Sequence, residues 1–304
     1  MAGGRVRVLG SIAAAARKAG ARGAARRLAG LSDAVLLAVH RPPLAADIDG
    51  VRVRGYLRHR SFLAEAMRPR ETYAELFVRS IRPGMTVIDG GAHVGLYTLL
   101  AAHVLGSSGL VVAFEPDRYN LAALELNVAR AGAGNILVVP KAISDAPGTA
   151  TFYETASTIG SSLLERPDSQ RHTIETTSID AVLAGREVTD LLVKLNVEGA
   201  EWLALEGMRD TLARVGPATV FIEVNPPLLE ASEGGLTGLL AWLAAERFEV
   251  SYIDLPTQTP VPLPQPVPKG HLLAVRTGRQ PASGTGSVAE PPADGGVARR
   301  DHAQ

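Results

Sequence analysis

Short apolar runs alternate with longer segments of helical periodicity along most of the chain. Each run is four to eight residues long, as expected for a buried strand, and the segments between them carry apolar residues at helical spacing. This alternation predicts an α/β fold with a doubly wound, mostly parallel sheet. The predicted strands are 85–88, 110–114, 136–139, 190–197, 218–224, 248–253 and 272–275, and the predicted helices are 96–105, 117–130, 202–212 and 236–247.

The last two apolar runs are joined in a different way from the others. The link between them, residues 255–268, is rich in proline and lacks helical periodicity, so we expect it to be extended. Consecutive strands joined without a crossover helix pair antiparallel. The pattern therefore predicts one antiparallel strand at the edge of the sheet.

Weaker patterns precede this core. Alternation around Asp49-Gly50 predicts a β-hairpin, and an apolar stripe within 69–81 predicts a helix. We expect residues 46–84 to form a flank or lid, and residues 85–277 to form the main domain.

The middle of the main domain departs from the regular alternation. Residues 149–154 alternate and predict an extra strand, whereas residues 155–173 are irregular and rich in serine. Loops above a rigid sheet edge often cover active sites, so we expect 155–173 to be a mobile loop near the site.

The two ends differ in composition from the core. The first 41 residues hold eight Lys or Arg against one acid, and no apolar signal core follows, so 1–45 is predicted to be a basic extension. Residues 278–304 have no apolar period and are predicted to be disordered.

The composition of the chain excludes several classes of partner and site. Lys+Arg and Asp+Glu are both 31, so the net charge is zero and nothing global favours nucleic acid. There are no cysteines, which excludes disulfides, thiolate metal sites and cysteine nucleophiles. No apolar run approaches the roughly 18 residues of a membrane span, so we expect a cytoplasmic protein.

The candidate chemistry lies where the first core strand turns into a helix. Asp89 ends that strand, and three glycines follow within 90–95, so a ligand could approach the backbone and meet amide N–H groups. Glu115 ends the next strand. The carboxyl ends of parallel strands form the usual ligand crevice of such sheets, so we expect both acids there.

A glycine turn followed by an acid about twenty residues later also occurs in dinucleotide-binding proteins. In this chain Asp89 directly precedes the turn, and its carboxylate would repel a pyrophosphate. S-adenosylmethionine has no phosphate, carries a sulfonium and an ammonium, and has ribose hydroxyls that a carboxylate can hold. The charge pattern therefore favours S-adenosylmethionine.

Five blocks in order resemble the FkbM family of S-adenosylmethionine-dependent methyltransferases: 87–95, 114–116, Asn127, 142–144 and 194–201. The resemblance implies a Rossmann-like class I methyltransferase fold, with seven strands and one antiparallel strand. It also implies O-methylation of a small-molecule hydroxyl acceptor, such as a sugar, a polyketide or another secondary metabolite.

The resemblance also suggests which residues form the site. The predicted cofactor-binding residues are Asp89, Gly91, His93, Gly95, Glu115, Pro116, Ala142, Ile143 and Ser144. The predicted catalytic residues are Glu198, Asn196, Lys194 and His93. No spacing typical of metal ligands is present, so we predict no metal.

An alcohol acceptor must lose its proton, which calls for a base within hydrogen-bond reach. Glu198 is the favoured base by resemblance, with His93, Glu223 and His172 as alternatives; Glu198 could equally be a helix N-terminal acid. The chain departs from the family at two positions: His93 stands where Asn is usual, and Asn196 stands where an acid is usual.

Two other functions remain open from the sequence. The glycine turn and Glu115 also fit an NAD-dependent oxidoreductase. The missing acid at Asn196 fits a non-catalytic binding protein that has kept the cofactor fold.

Overall fold

The structure is a computed structural model that describes residues 42, 44–68, 72–155, 161–165, 169–232 and 234–278. Most of the basic extension predicted for 1–45 and almost all of the tail predicted for 278–304 lie outside the described residues. The same holds for two pieces of the loop predicted at 155–173, residues 156–160 and 166–168.

Thirteen strands and nine α-helices are defined within the described ranges. The strands are β1 (Leu44–Ile48), β2 (Val51–Gly55), β3 (Thr86–Gly90), β4 (Leu110–Phe114), β5 (Ile136–Val139), β6 (Ala142–Ile143), β7 (Gly148–Glu154), β8 (Gln170–Thr177), β9 (Leu191–Leu195), β10 (Ala218–Val224), β11 (Glu249–Asp254), β12 (Thr259–Val261) and β13 (Gly270–Arg276). The helices are α1 (Arg60–Ala66), α2 (Ala74–Ser80), α3 (Leu96–Leu105), α4 (Arg118–Ala131), α5 (Ile179–Val182), α6 (Glu201–Glu206), α7 (Arg209–Arg214), α8 (Pro226–Leu229) and α9 (Gly235–Ala245), and a 3₁₀ turn spans Leu57–His59.

The central sheet has the strand order β12-β11-β13-β10-β9-β3-β4-β5. Neighbours from β10 to β5 pair parallel, and β13 pairs antiparallel with both β10 and β11. This arrangement confirms the doubly wound, mostly parallel class I fold with its antiparallel component.

The sheet has eight strands rather than the predicted seven. The additional strand, β12, lies in the proline-rich link that we expected to be simply extended, and it pairs Pro260 with Ile253. Proline cannot donate to a ladder and is tolerated at a sheet edge, where one side of the strand needs no partner. The prolines therefore conceal an edge strand.

The middle of the sheet is buried on both faces. β3 and β9 contain only buried residues, which matches their continuous apolar runs. β3 lies between β9 and β4, and its register sets Asp89 beside Lys194 on one side and Ala113 on the other. The first core strand therefore ends at the centre of the carboxyl edge.

The segment before the core forms a flank on this sheet. Asp49 and Gly50 have φ angles of 47° and 85° and form the tight turn between β1 and β2. Asn127 of α4 binds the flank, because its side chain exchanges two 3.0 Å hydrogen bonds with the backbone of Arg54. Tyr73, just before α2, stacks on Phe221 of the sheet with ring centroids 5.3 Å apart.

A second, three-stranded sheet has the order β6-β8-β7. β7 is the extra strand predicted for 149–154. The prediction of an irregular loop over 155–173 is wrong at its end, because residues 170–173 belong to β8 and pair with β7. Thr and His side chains along β8 have no strict apolar alternation, so the sequence pattern did not reveal this strand.

Candidate functional site

The turn after β3 brings its backbone against the neighbouring strand. Gly91 has a φ of 73°, and a Cβ atom at this residue would lie 2.0 Å from the carbonyl oxygen of Asn196. No side chain fits at that distance, so the position requires glycine. The close approach joins the predicted cofactor turn to the predicted catalytic segment.

Lys194 of β9 holds the backbone of this turn in place by hydrogen bonds. Its Nζ donates to the carbonyl oxygens of Gly90 at 3.2 Å and Gly91 at 2.8 Å, and it lies 3.0 Å from Asp89 Oδ1. Asp89 is fully buried, and its Oδ2 accepts a 2.6 Å hydrogen bond from Thr98 Oγ1. Two residues predicted to meet ligands therefore form an ion pair that supports the turn.

A cavity of about 350 Å³ opens at the carboxyl edge above this pair. Nine of the predicted site residues line it: Gly91, His93, Glu115, Pro116, Ala142, Ile143, Lys194, Asn196 and Glu198. Three predicted cofactor residues, Asp89, Gly95 and Ser144, are not in its wall. Most residues chosen from the sequence are thus brought to one place.

Glu115 directly follows β4 and lines one end of the cavity. Its Oε2 accepts a 2.7 Å hydrogen bond from the amide of His93, and its Oε1 accepts from the amide of Asp117 at 2.9 Å and from Asn120 Nδ2 at 3.3 Å. Burial, together with the charge of Asp117, raises the pKa of Glu115 to about 8. Three N–H donors thus hold a buried carboxyl group at the cavity wall.

His93 lies in the turn itself, with a φ of 55°. Its ring packs edge-on against Phe62, with centroids 4.4 Å apart, and against His59 at 5.1 Å. Burial, followed by the nearby His59, lowers the pKa of His93 well below its ordinary value, so the ring is neutral. Within the described residues neither ring nitrogen has a hydrogen-bond partner, which leaves both for a molecule in the cavity.

Glu198 lies in a strained loop after β9, with a φ of 52°. Glu201 holds this loop, because its carboxylate accepts the amides of Val197 at 3.2 Å and Gly199 at 2.9 Å. Burial raises the pKa of Glu201 to about 7. Ser162 adds a 2.7 Å hydrogen bond to the Glu198 carbonyl, so the backbone of Glu198 is fixed from two sides. Non-glycine residues in this conformation are uncommon and often mark functional sites.

Several residues in the cavity wall were not in the predicted site. Glu223 is the penultimate residue of β10, and its register partner His271 is the second residue of β13. His271 Nε2 lies 3.8 Å from Glu223 Oε2. Although burial alone would raise it, His271, Lys269 and Lys194 together hold the pKa of Glu223 below its ordinary value. Glu223 was considered as a base because it ends a strand, and Ser161, Ser162 and Leu163 belong to the loop that was expected near the site. No local pattern indicates the remaining wall residues, which include Phe62, Tyr73, Tyr97, Asn120, Phe152, Lys269 and His271.

The alternative base His172 lies elsewhere. It belongs to β8, where its Nε2 is 3.3 Å from Glu154, and it is not in the cavity wall. Within the described ranges, no group of three or more His, Asp or Glu side chains is placed to hold a metal ion. In the same part of the chain, no helix is long and apolar enough to cross a membrane.

Comparison with known proteins gives one family match. Residues 89–250 match the model of the methyltransferase FkbM domain. A tRNA (adenine(58)-N(1))-methyltransferase, TrmI of Thermus thermophilus, is 34% identical over 92 residues, which are 30% of this chain and 32% of that protein. The chain therefore spans about a third of the length of the curated relatives it matches.

Solved structures give more distant similarities. Methyltransferase FkbM from Methylobacillus flagellatus KT is 19% identical with a TM-score of 0.45, over 68% of this chain and 48% of that one. A SAM dependent methyltransferase from Aquifex aeolicus is 14% identical with a TM-score of 0.37, over 68% of this chain and 88% of that one.

Proposed function

This chain belongs to the methyltransferase FkbM domain family and uses S-adenosyl-L-methionine, and we propose that it methylates a hydroxyl oxygen of a small organic acceptor. The proposal rests on one observation: the acid Glu115 lies at one end of the cavity, and two acids, Glu198 and Glu223, lie at the other. Glu115 follows β4, whereas Glu198 and Glu223 lie at β9 and β10, beyond the glycine turn of β3. Neighbouring strands are about 4.8 Å apart, so β4 and β9 are separated by roughly 10 Å.

The residues at the β4 end fit the cofactor. The Glu115 carboxyl can bind the ribose hydroxyls, and Ala142 and Ile143 supply an apolar wall for the adenine ring. The two ring nitrogens of His93 have no hydrogen-bond partner among the described residues, so they can bind the polar methionyl end without adding charge. When bound, S-adenosyl-L-methionine supplies a methyl group activated by the sulfonium.

The residues at the other end fit the acceptor. We assign the Glu198 carboxylate to receive the hydroxyl proton, because its strained and doubly supported loop fixes its position in the wall. Glu223 remains ionised beside His271 and Lys269, so these three can bind further polar groups of the acceptor. Ser161, Ser162 and Leu163 line the same cavity, and Ser162 contacts the backbone of Glu198.

Family membership favours methyl transfer over the NAD-dependent oxidoreductase hypothesis. The tRNA activity belongs to the Thermus relative, and the similarity covers too little of that protein to extend it here. The remaining alternative hypothesis is a non-catalytic protein that binds the cofactor, and a measurement of methyl transfer distinguishes it from an enzyme.

The test combines binding with transfer. Calorimetry should show binding of S-adenosyl-L-methionine, and labelled methyl should pass to members of a panel of sugars, macrolide alcohols and phenols. Glu198→Gln should reduce turnover about a hundredfold or more, the lower range of general-base effects, without changing cofactor affinity. Glu125→Gln, on the exposed face of α4, is the matched control and should behave as wild type.

Two results would overturn the proposal. One is transfer to the nitrogen of a tRNA base with no transfer to any hydroxyl compound. The other is binding of the cofactor with no methyl transfer to any compound of the panel or to tRNA.

A further inference from the structure

A buried chain of hydrogen bonds runs from the flank to the acid at the end of β4. The amide of Tyr56 donates to His59 Nδ1 at 2.8 Å, and His59 Nε2 lies 2.9 Å from Asn120 Oδ1. Asn120 Nδ2 then donates to Glu115 Oε1 at 3.3 Å. The flank is thus connected to Glu115 through two side chains.

The direction of each hydrogen bond follows from the first one. Because the Tyr56 amide can only donate, His59 Nδ1 accepts and the ring proton lies on Nε2. Nε2–H therefore donates to the Asn120 oxygen, which turns the amide nitrogen of Asn120 towards Glu115. Burial lowers the pKa of His59 to about 4, so this neutral tautomer persists at physiological pH.

The hydrogen bond from Asn120 to Glu115 differs in kind from the other two hydrogen bonds that Glu115 accepts. The His93 and Asp117 donors are backbone amides, and among the described residues Asn120 is the one side chain that donates to Glu115. The rotation of the Asn120 side chain is set by His59, which lies outside the 89–250 family match. The flank therefore adds an element that the matched domain does not contain.

We propose that His59 is a positioning residue for the cofactor: through Asn120 it holds Glu115 Oε1 in the orientation that receives a ribose hydroxyl. This inference rests on the proposed assignment of Glu115 to the ribose. The flank then serves cofactor binding in addition to bordering the cavity with Phe62 and Glu65. A role in positioning affects ligands with ribose hydroxyls and spares ligands without them, whereas a purely structural role affects both.

The experiment measures the affinity of three variants for S-adenosylhomocysteine and for its 2′,3′-dideoxy analogue by calorimetry. His59→Leu removes the ring nitrogens. Asn120→Asp keeps an oxygen facing His59 but replaces the N–H donor to Glu115 with a carboxylate oxygen. His59→Gln keeps an N–H near the Nε2 position. We expect the first two variants to bind S-adenosylhomocysteine about tenfold more weakly, the effect of about one hydrogen bond, and His59→Gln to bind within about threefold of wild type. Affinity for the dideoxy analogue should be unchanged throughout.

The outcomes separate this inference from the proposed function. If wild type binds S-adenosylhomocysteine but His59→Leu and Asn120→Asp bind it equally well, His59 has no positioning role. An equal loss of affinity for both ligands overturns the inference in favour of a structural role. If His59→Leu does not fold, Asn120→Asp decides between these results. Absence of binding to wild type overturns the proposed function itself.

Discussion

Lys194 Nζ lies 3.0 Å from Asp89 Oδ1, and both side chains are almost completely buried at the centre of the sheet. The two residues are register partners on neighbouring strands, so the pair is built into the sheet rather than into a loop. The ammonium also donates hydrogen bonds to the carbonyl oxygens of Gly90 and Gly91. Lys194 therefore supports the backbone of the turn at Gly90 and Gly91 from a neighbouring strand.

Lys194→Met should therefore strongly destabilise the protein. The substitution leaves the Asp89 carboxylate buried without a counter-charge and removes two hydrogen bonds to the turn. We expect a loss of about 3–5 kcal/mol in the free energy of unfolding, measured by denaturant titration.

The matched control is Arg52→Met, which removes an ion pair with Asp47 that is 3.3 Å long but more than half exposed. It should cost less than about 1 kcal/mol. Equal effects of the two substitutions would show that Lys194 does not stabilise the turn through its buried charge.

Gly91→Ala tests the close approach of the turn to β9. The new methyl group would overlap the Asn196 carbonyl and would also require alanine at a φ of 73°. We expect a cost above about 3 kcal/mol and loss of cofactor binding, measured by thermal unfolding and calorimetry.

Gly50→Ala separates the two causes. Gly50 has a similar φ of 85°, but no atom lies within 4 Å of the added Cβ. This control should cost about 1–2 kcal/mol, the price of the left-handed conformation alone. If both variants lost the same stability, steric contact with Asn196 would be unimportant.

The sequence predicted the parts of this fold whose signals are local. Helix α3 was predicted with the bounds 96–105, because the glycine turn and the apolar segment define it. β12 was missed because proline conceals edge strands, and α1 was missed because Arg60–Ala66 is short and lacks a clear stripe. His59, Tyr73 and His271 reach the site through long-range packing, which no local pattern records.

The burial of His59 gives a pH dependence of stability. Its pKa falls from 6.5 in the unfolded chain to about 4 in the folded protein, so the unfolded state binds more protons between these values. Stability from neutral His59 is therefore complete above pH 6.5 and is lost as pH falls towards 4. The difference is on the order of 3 kcal/mol.

His59→Gln should remove this dependence, because glutamine does not titrate. Denaturant titrations of wild type and variant between pH 4 and 7 measure it, and the difference between the two curves cancels the other titrating groups. We expect wild type to lose stability relative to the variant as pH falls. Parallel curves over this range would mean that His59 titrates normally and is not buried as the structure shows.

The family resemblance implies an acid at the position of Asn196, and the substitution Asn196→Asp is the sharpest test of the acceptor end. The register of β9 and β10 pairs Leu195 with Ile222, so one residue further places position 196 beside Glu223, with Glu198 two residues away in the same cavity wall. A new carboxylate there adds like charge, which raises the pKa values of these acids and opposes full ionisation. We therefore expect initial rates to be unchanged or lower, with cofactor affinity unchanged by calorimetry. If turnover instead rose tenfold or more at the same cofactor affinity, the missing acid would act through its charge, and Glu198 would not be sufficient as the proton acceptor.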